Sequence, residues 1–257
     1  MGLFNLFKKK DKEELHTAAF PAKNQKQGYY GDLENTALLT KLCEVTKEKH
    51  DENWNHKFLT LVADASFACG NPQIIQGPDG FPYFQLETPQ RDKPFQCYVI
   101  SHMISDFILE RGIGIVINAH SGQPDWVFSY GSLVNFASRG EFYTIGPNLQ
   151  LPKIETVRDN EDVLIGQSSE TFLPSATRTI LRQFIEQQGI RDVKVALMSR
   201  KYGDEVLQEL VTNLTRHKTG KNLFEILQSH LQWFLPVHYS MVAMDEEGSL
   251  KDHLEPL

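Results

Sequence analysis

The sequence predicts an α+β fold built from two similar helix/strand layers. Three observations predict it. Amphipathic helical stretches alternate with short β-rich runs along the chain. The segment QIIQGPDGFPYFQLE places two such runs around a turn. The order helix, hairpin, helix, strand in the first half is echoed by helix, two strands, helix, strand in the second. The residue identities do not repeat, so internal duplication is a hypothesis, carried by order alone.

Residues 1–31 read as a flexible tail, rich in lysine and broken by Pro21 and glycines. The start, MGLFNLFKKKDK, has Leu3, Phe4, Leu6 and Phe7 ahead of a basic run, the reverse of a secretory leader. Leu6 stands where the myristoylation pattern needs Ser or Thr. Any membrane association is therefore expected to be peripheral at most, through residues 1–10. From residue 32 to residue 146 an N-terminal α+β half is expected. Leu33, Ala37, Leu38, Leu42 and Val45 fall on one helical face, and Trp54, Phe58, Leu61, Val62 and Ala65 on another, which Gly70 and Pro72 stop. The GPDG turn follows, with Pro78 presetting φ and Gly80 free to take φ > 0. Pro82 has no N–H for a ladder, so the second strand starts there or lies at an edge.

Val99, Ile100, Met103, Ile104, Phe107 and Ile108 predict the next helix, and Gly112 its end. GIGIVINA is a strand apolar on both faces, hence inside a covered sheet. DWVFSY reads as its partner. Residues 147–172 lose periodicity and read as a connecting segment with a short strand near Val163 to Ile165. The C-terminal α+β half, 173–257, opens on a helix with Ser175 as N-cap and Ala176, Ile180, Leu181, Phe184 and Ile185 on its face. VKVALMS and LQELVTNLT are strands, Leu223 to Leu235 a helix cut by Pro236, HYSMVAMD the last strand, and the remainder a polar tail.

The helix ATRTILRQFIEQQG, the strand VKVALMS and the late helix leading through a proline to HYSMVAMD make residues 175 to 245 similar to the C-terminal region of the SseB-like ("enhanced serine sensitivity") family. The likeness is one of pattern, without a diagnostic motif. It implies an α+β module of the bacterial cytoplasm whose activity is poorly defined, and it supplies no catalytic residues.

Composition narrows the function classes. A net charge of −7 gives no bulk attraction for phosphates, so no nucleic-acid partner is expected. The three cysteines, Cys43, Cys69 and Cys97, form no CxxC pair, which fits buried free thiols in a reducing, cytoplasmic setting. His230 and His238 fall in different elements on either side of Pro236, with no acid before Asp245, so no metal site is expected. Gly112-Ile113-Gly114 follows a helix and opens a strand, the wrong context for a dinucleotide fingerprint, and no cofactor is expected.

INAHSGQPDWVFSY carries the one candidate constellation. On a continuous strand His120 shares a face with Asn118 and Val116, while Ser121 points away, a poor geometry for a hydroxyl nucleophile. Asp125, across the turn, is placed to orient His120 as a general base, or simply to pin the hairpin. Two functions follow. The first is a non-catalytic protein-interaction or adaptor module that meets an unidentified protein partner through Phe81, Tyr83 and Trp126. The alternative is a small-substrate hydrolase-like enzyme using His120 with Asp125.

Overall fold

A computed structural model describes residues 30–144, 163–202, 205–246 and 251–257. The chain is an α+β protein that divides into two compact units between Leu133 and Val134. The division falls inside helix Tyr130–Arg139, where the sequence predicts no helix and places Tyr130 at the end of a strand. It therefore precedes the expected boundary at 146/147. Most of the expected tail, and residues 147–162 of the expected connecting segment, lie outside the described residues.

In the first unit, two helices open on aspartate caps. The Asp32 carboxylate accepts the Asn35 N–H at the start of α1 (Leu33–Cys43), and that of Asp51 accepts the Trp54 N–H at the start of α2 (Glu52–Val62). Helix α2 buries Trp54, Phe58 and Val62, one residue per turn. Helix α1 departs from its pattern, because Leu39 is its only buried residue and Leu33 and Leu38 face solvent. The hairpin β1 (Ser66–Gln76) and β2 (Pro82–Glu87) closes on the expected turn, where the Gly80 N–H donates to the Gly77 carbonyl and Gly80 has φ 83°. Its register pairs Ile74 with Phe84 and, past a bulge, Cys69 with Leu86.

Strand β3 (Tyr98–Val99) pairs antiparallel with β1 and runs into a helix in three parts, Ile100–Met103, a π-helical turn Ile104–Ile108, and Leu109–Arg111; we call the three together α3. Gly112 ends it in the left-handed conformation. Strand β4 (Gly114–Ile117) then lies parallel to β2, and β5 (Trp126–Phe128) antiparallel to β4, giving the order β3-β1-β2-β4-β5. Gly114 is required by a close approach. A methyl there would sit 2.6 Å from both the Tyr83 ring and the Phe128 carbonyl oxygen. The chain then enters α4 (Tyr130–Arg139).

The second unit has β6 (Val163–Gly166), α5 (Ser175–Gln187), the hairpin β7 (Lys194–Tyr202) and β8 (Glu205–Thr212), a short helix α6 (Arg216–Thr219), α7 (Lys221–Phe234), β9 (Ser240–Ala243) and β10 (Glu255–Pro256). The order β10-β7-β8-β9 has β8 and β9 parallel and its other pairs antiparallel, with β6 also antiparallel to β7. Leu181 and Ile185 of α5 and Leu231 of α7 meet Val195, Leu210 and Met241 of the sheet around a hollow of about 10 Å³.

Two expectations are corrected here. Ser175 is the first helical residue rather than the cap; Pro174 holds the cap position, and the Ser175 N–H donates to Glu170. The chain end is not a polar tail. Glu255–Pro256 adds to β7, Arg178 bonds Glu255 at 2.8 Å, and Leu257 is buried.

Both units repeat one topology. A helix leads into an antiparallel hairpin, and a second helix returns the chain to a strand parallel to the hairpin's second strand. The repeat extends to a closing bond. The Asn118 N–H donates to the Leu86 carbonyl just past β4, as the Met244 N–H does to the Thr212 carbonyl just past β9.

Candidate functional site

The segment INAHSGQPDWVFSY runs from the last residue of β4 through a tight turn and β5 to the first residue of α4. Strand β4 stops at Ile117 because Asn118 turns left-handed, at φ 55° and ψ 43°. Asparagine tolerates that region better than most residues. The continuous strand through residue 120 is therefore not formed, and His120 instead lies in a single 3₁₀ turn, Ala119–Ser121.

Asn118 is the hub. Its Oδ1 accepts the Thr88 N–H at 2.9 Å, and its Nδ2 donates to Asp125 Oδ2 at 2.6 Å. Backbone bonds complete the joint, with the Asp125 N–H donating to the Ile117 carbonyl at 2.9 Å. The Asp125 side chain is only 8% exposed, and its Oδ1 lies 3.8 Å from Lys47 Nζ. The Cys43 thiol lies near the same carboxylate, and burial and that charge raise its pKa. Lys47 Nζ is itself shielded from water and has no hydrogen-bond partner among the described residues. Asp125 thus collects an amide and an ammonium group, with the Cys43 thiol close by. It ties the end of α1 and the turn after it to the β4–β5 turn.

His120 is not part of this joint. Its side chain is 57% exposed, and the carboxylate near it is Glu87, with Oε1 3.6 Å from Nδ1, too long for a hydrogen bond. The structure therefore does not bring His120 and Asp125 together as base and orienter. The reason is local: the left-handed Asn118 breaks the strand and takes Asp125 for its own amide. Lys47, Thr88 and Glu87 were not singled out in the sequence, and Asn118 and Cys43 were named there without a part in this joint. Only the Asn, a residue suited to left-handed backbone, carried a local signal.

Of the three aromatics expected at a partner surface, Phe81 and Tyr83 are each 4% exposed and belong to the core. The turn leads directly into β2, whose two edges are paired with β1 and β4 and whose residues Pro82 to Leu86 are buried on both faces. The Tyr83 hydroxyl donates to Asp79 at 2.5 Å. Trp126 is half-buried in a row of rings, 5.1 Å from Phe58 and 6.2 Å from Trp54, with His50 stacked on Trp54 at 3.6 Å.

Nucleophile chemistry finds little support in the thiols. Burial and the Asp125 charge push the Cys43 thiol well above the ordinary range, and burial carries Cys69 to about 11. Both stay protonated at neutral pH, and the thiol is a far weaker nucleophile than the thiolate. Among the described residues no group of three or more His, Cys, Asp or Glu side chains is placed to hold a metal ion. His230 Nδ1 lies 2.7 Å from the Ile226 carbonyl of its own helix.

The His238 Nε2 is buried without a hydrogen-bond partner among the described residues. Burial, then the Arg139 charge, lower its pKa, with Glu141 opposing. The unfolded chain therefore binds this proton first. Its contribution to stability is full above about pH 6.5 and falls as the pH drops below that value. The urea midpoint of the native protein should fall between pH 7.5 and pH 5.5 by more than that of His238→Gln. Equal falls would mean that His238 is solvated in the folded state.

Comparison with family models, curated proteins and solved structures finds no significant match to this chain. Among the described residues no helix is long and apolar enough to cross a membrane.

Proposed function

We propose that the protein is a non-catalytic interaction module of the reducing cytoplasm, of the SseB-like kind, and that its contact surface is the outer face of α1. The observation that carries this reading is the exposure of Tyr30 at 73% and Leu33 at 77%, with Leu38 also exposed five residues further on. Large apolar side chains gathered within nine residues favour burial against a partner. Asp32 and Glu34 flank Leu33 and are exposed, so the fitting partner is a protein surface with an apolar centre and a basic rim. The hydrolase alternative needs His120 and Asp125 in contact, and their separate surroundings do not favour it.

The test is the double variant Leu33→Asp/Leu38→Asp. Both side chains are exposed, so its melting temperature should match that of the native chain. A partner captured by the native chain should bind the variant at least tenfold more weakly, and the native complex should weaken as salt is raised. A partner that binds both proteins equally would remove α1 from the interface and the reading with it.

A further inference from the structure

The repeated topology shows what a strand beside β9 would look like. In the first unit, the strand reached by the parallel return is β4, and β5 covers its outer edge. In the second unit the corresponding strand is β9, with β8 on one side and no described strand on the other. The chain end adds to β7 instead, at the far side of the sheet. We propose that the outer edge of β9 is a docking site for an extended segment of a partner protein, added antiparallel as β5 is added to β4. This site is separate from the α1 surface and goes beyond it.

The backbone arithmetic identifies the open groups. The Met244 N–H is directed at the Thr212 carbonyl of β8. In a strand successive residues present their N–H and C=O to opposite sides, so Ser240 and Val242 also face β8. The N–H and C=O of Met241 and Ala243 face outward. These are the counterparts of Ile115 and Ile117, which meet Phe128 and Trp126 of β5. Edge strands are usually blunted by lysine, proline or a bulge. The four residues Ser-Met-Val-Ala carry no charge and no proline, and all four are half-buried, not fully covered.

The side chains set the chemistry of the occupant. Met241 and Ala243 line a small apolar hollow with Phe224, Leu227 and Leu231 of α7. An added strand places residues two apart on that same face. In β5 those residues are Trp126 and Phe128, with Val127 on the opposite face. The fitting segment is therefore extended and carries large apolar residues at alternate positions, its main chain supplying the bonds to β9.

The probe is a fluorescein-labelled peptide of residues 123–130, QPDWVFSY, titrated with the full-length protein and read by anisotropy. Saturable binding is expected. Ala243→Pro removes an outward donor without touching the β8 ladder, and should weaken binding at least tenfold while the circular dichroism stays native. Loss in this variant assigns the site to β9 rather than to exchange with the chain's own β5. A second control does not depend on the protein's folding. The peptide N-methylated at the Phe128 position keeps every side chain, loses one strand bond and should bind at least tenfold more weakly. Leu33→Asp/Leu38→Asp should bind the peptide as the native chain does, which separates this site from the α1 surface. Absence of saturable binding, or binding indifferent to both Ala243→Pro and N-methylation, would overturn the proposal. So would a native dimer in sedimentation equilibrium that Ala243→Pro converts to monomer, since the occupant would then be a second copy.

Discussion

Replacing Glu209 with alanine should destabilise the protein by about 3–5 kcal/mol, the range for removing one partner of a buried ion pair. The Arg200 and Glu209 side chains are only 4% and 6% exposed, and Arg200 Nε donates to Glu209 Oε2 at 2.5 Å. They stand on adjacent strands, β7 and β8, on the sheet face that also carries Ala196, Met198 and Val211, all fully buried. The Ser240 hydroxyl donates to the other carboxylate oxygen at 3.3 Å. A guanidinium cannot shed its proton at any ordinary pH, so without Glu209 the buried charge loses the carboxylate paired with its Nε. Chemical denaturation of the single variants and of Arg200→Met/Glu209→Leu gives a double-mutant cycle. The double variant should recover most of the loss, because apolar replacement of a whole buried pair is often neutral or better. A loss below about 1 kcal/mol for Glu209→Ala would mean that the pair behaves as a solvated one.

Periodicity and turn chemistry made most of the architecture legible, for physical reasons visible at particular residues. Trp54, Phe58 and Val62 recur at helical spacing because one face of α2 must be buried. Gly80 and Gly112 adopt positive φ, as a tight turn and a helix end require. Helix α4 was missed because YGSLVNFASR continues the β-rich run DWVF without a break, although its buried Tyr130, Leu133 and Val134 stand at helical spacing. Helix α1 shows the opposite failure. Its apolar stripe was legible, but periodicity does not say whether anything lies against it, and Leu33 and Leu38 remain exposed. Phe81 and Tyr83 were misplaced for a related reason. A residue next to a turn is near the surface in sequence terms, yet β2 is a central strand. The candidate site was located but misassembled. INAHSGQPD does hold a polar joint, but its partners are Lys47 and Thr88, with Cys43 close by, all tens of residues away. Nothing local marks such contacts.

That joint yields a second large effect and a sharp contrast. Asp125→Ala should destabilise the protein by about 2–4 kcal/mol, since a hydrogen bond to a charged group is worth about 1.5–3 kcal/mol and the shielded Lys47 ammonium also loses its counter-charge. The partial exposure of the Lys47 side chain keeps the figure below that for Glu209. His120→Ala should stay within about 0.5 kcal/mol of the native chain, because its ring is exposed and makes no short bond to an acid. Asp125→Asn should fall between the two. The amide keeps an oxygen for the Asn118 Nδ2–H, but it offers Lys47 no charge. Urea midpoints of the three variants order these outcomes directly. A catalytic pair would behave differently: both positions would be nearly silent in stability, because such residues are held for chemistry rather than for folding. The order Asp125→Ala, Asp125→Asn, His120→Ala in decreasing loss therefore identifies Asp125 as the carboxylate that fastens α1 to the β4–β5 turn. In that order His120 is a surface residue. Equal and small losses at both positions would return the pair to the list of catalytic candidates, and a substrate screen would then precede any search for partners.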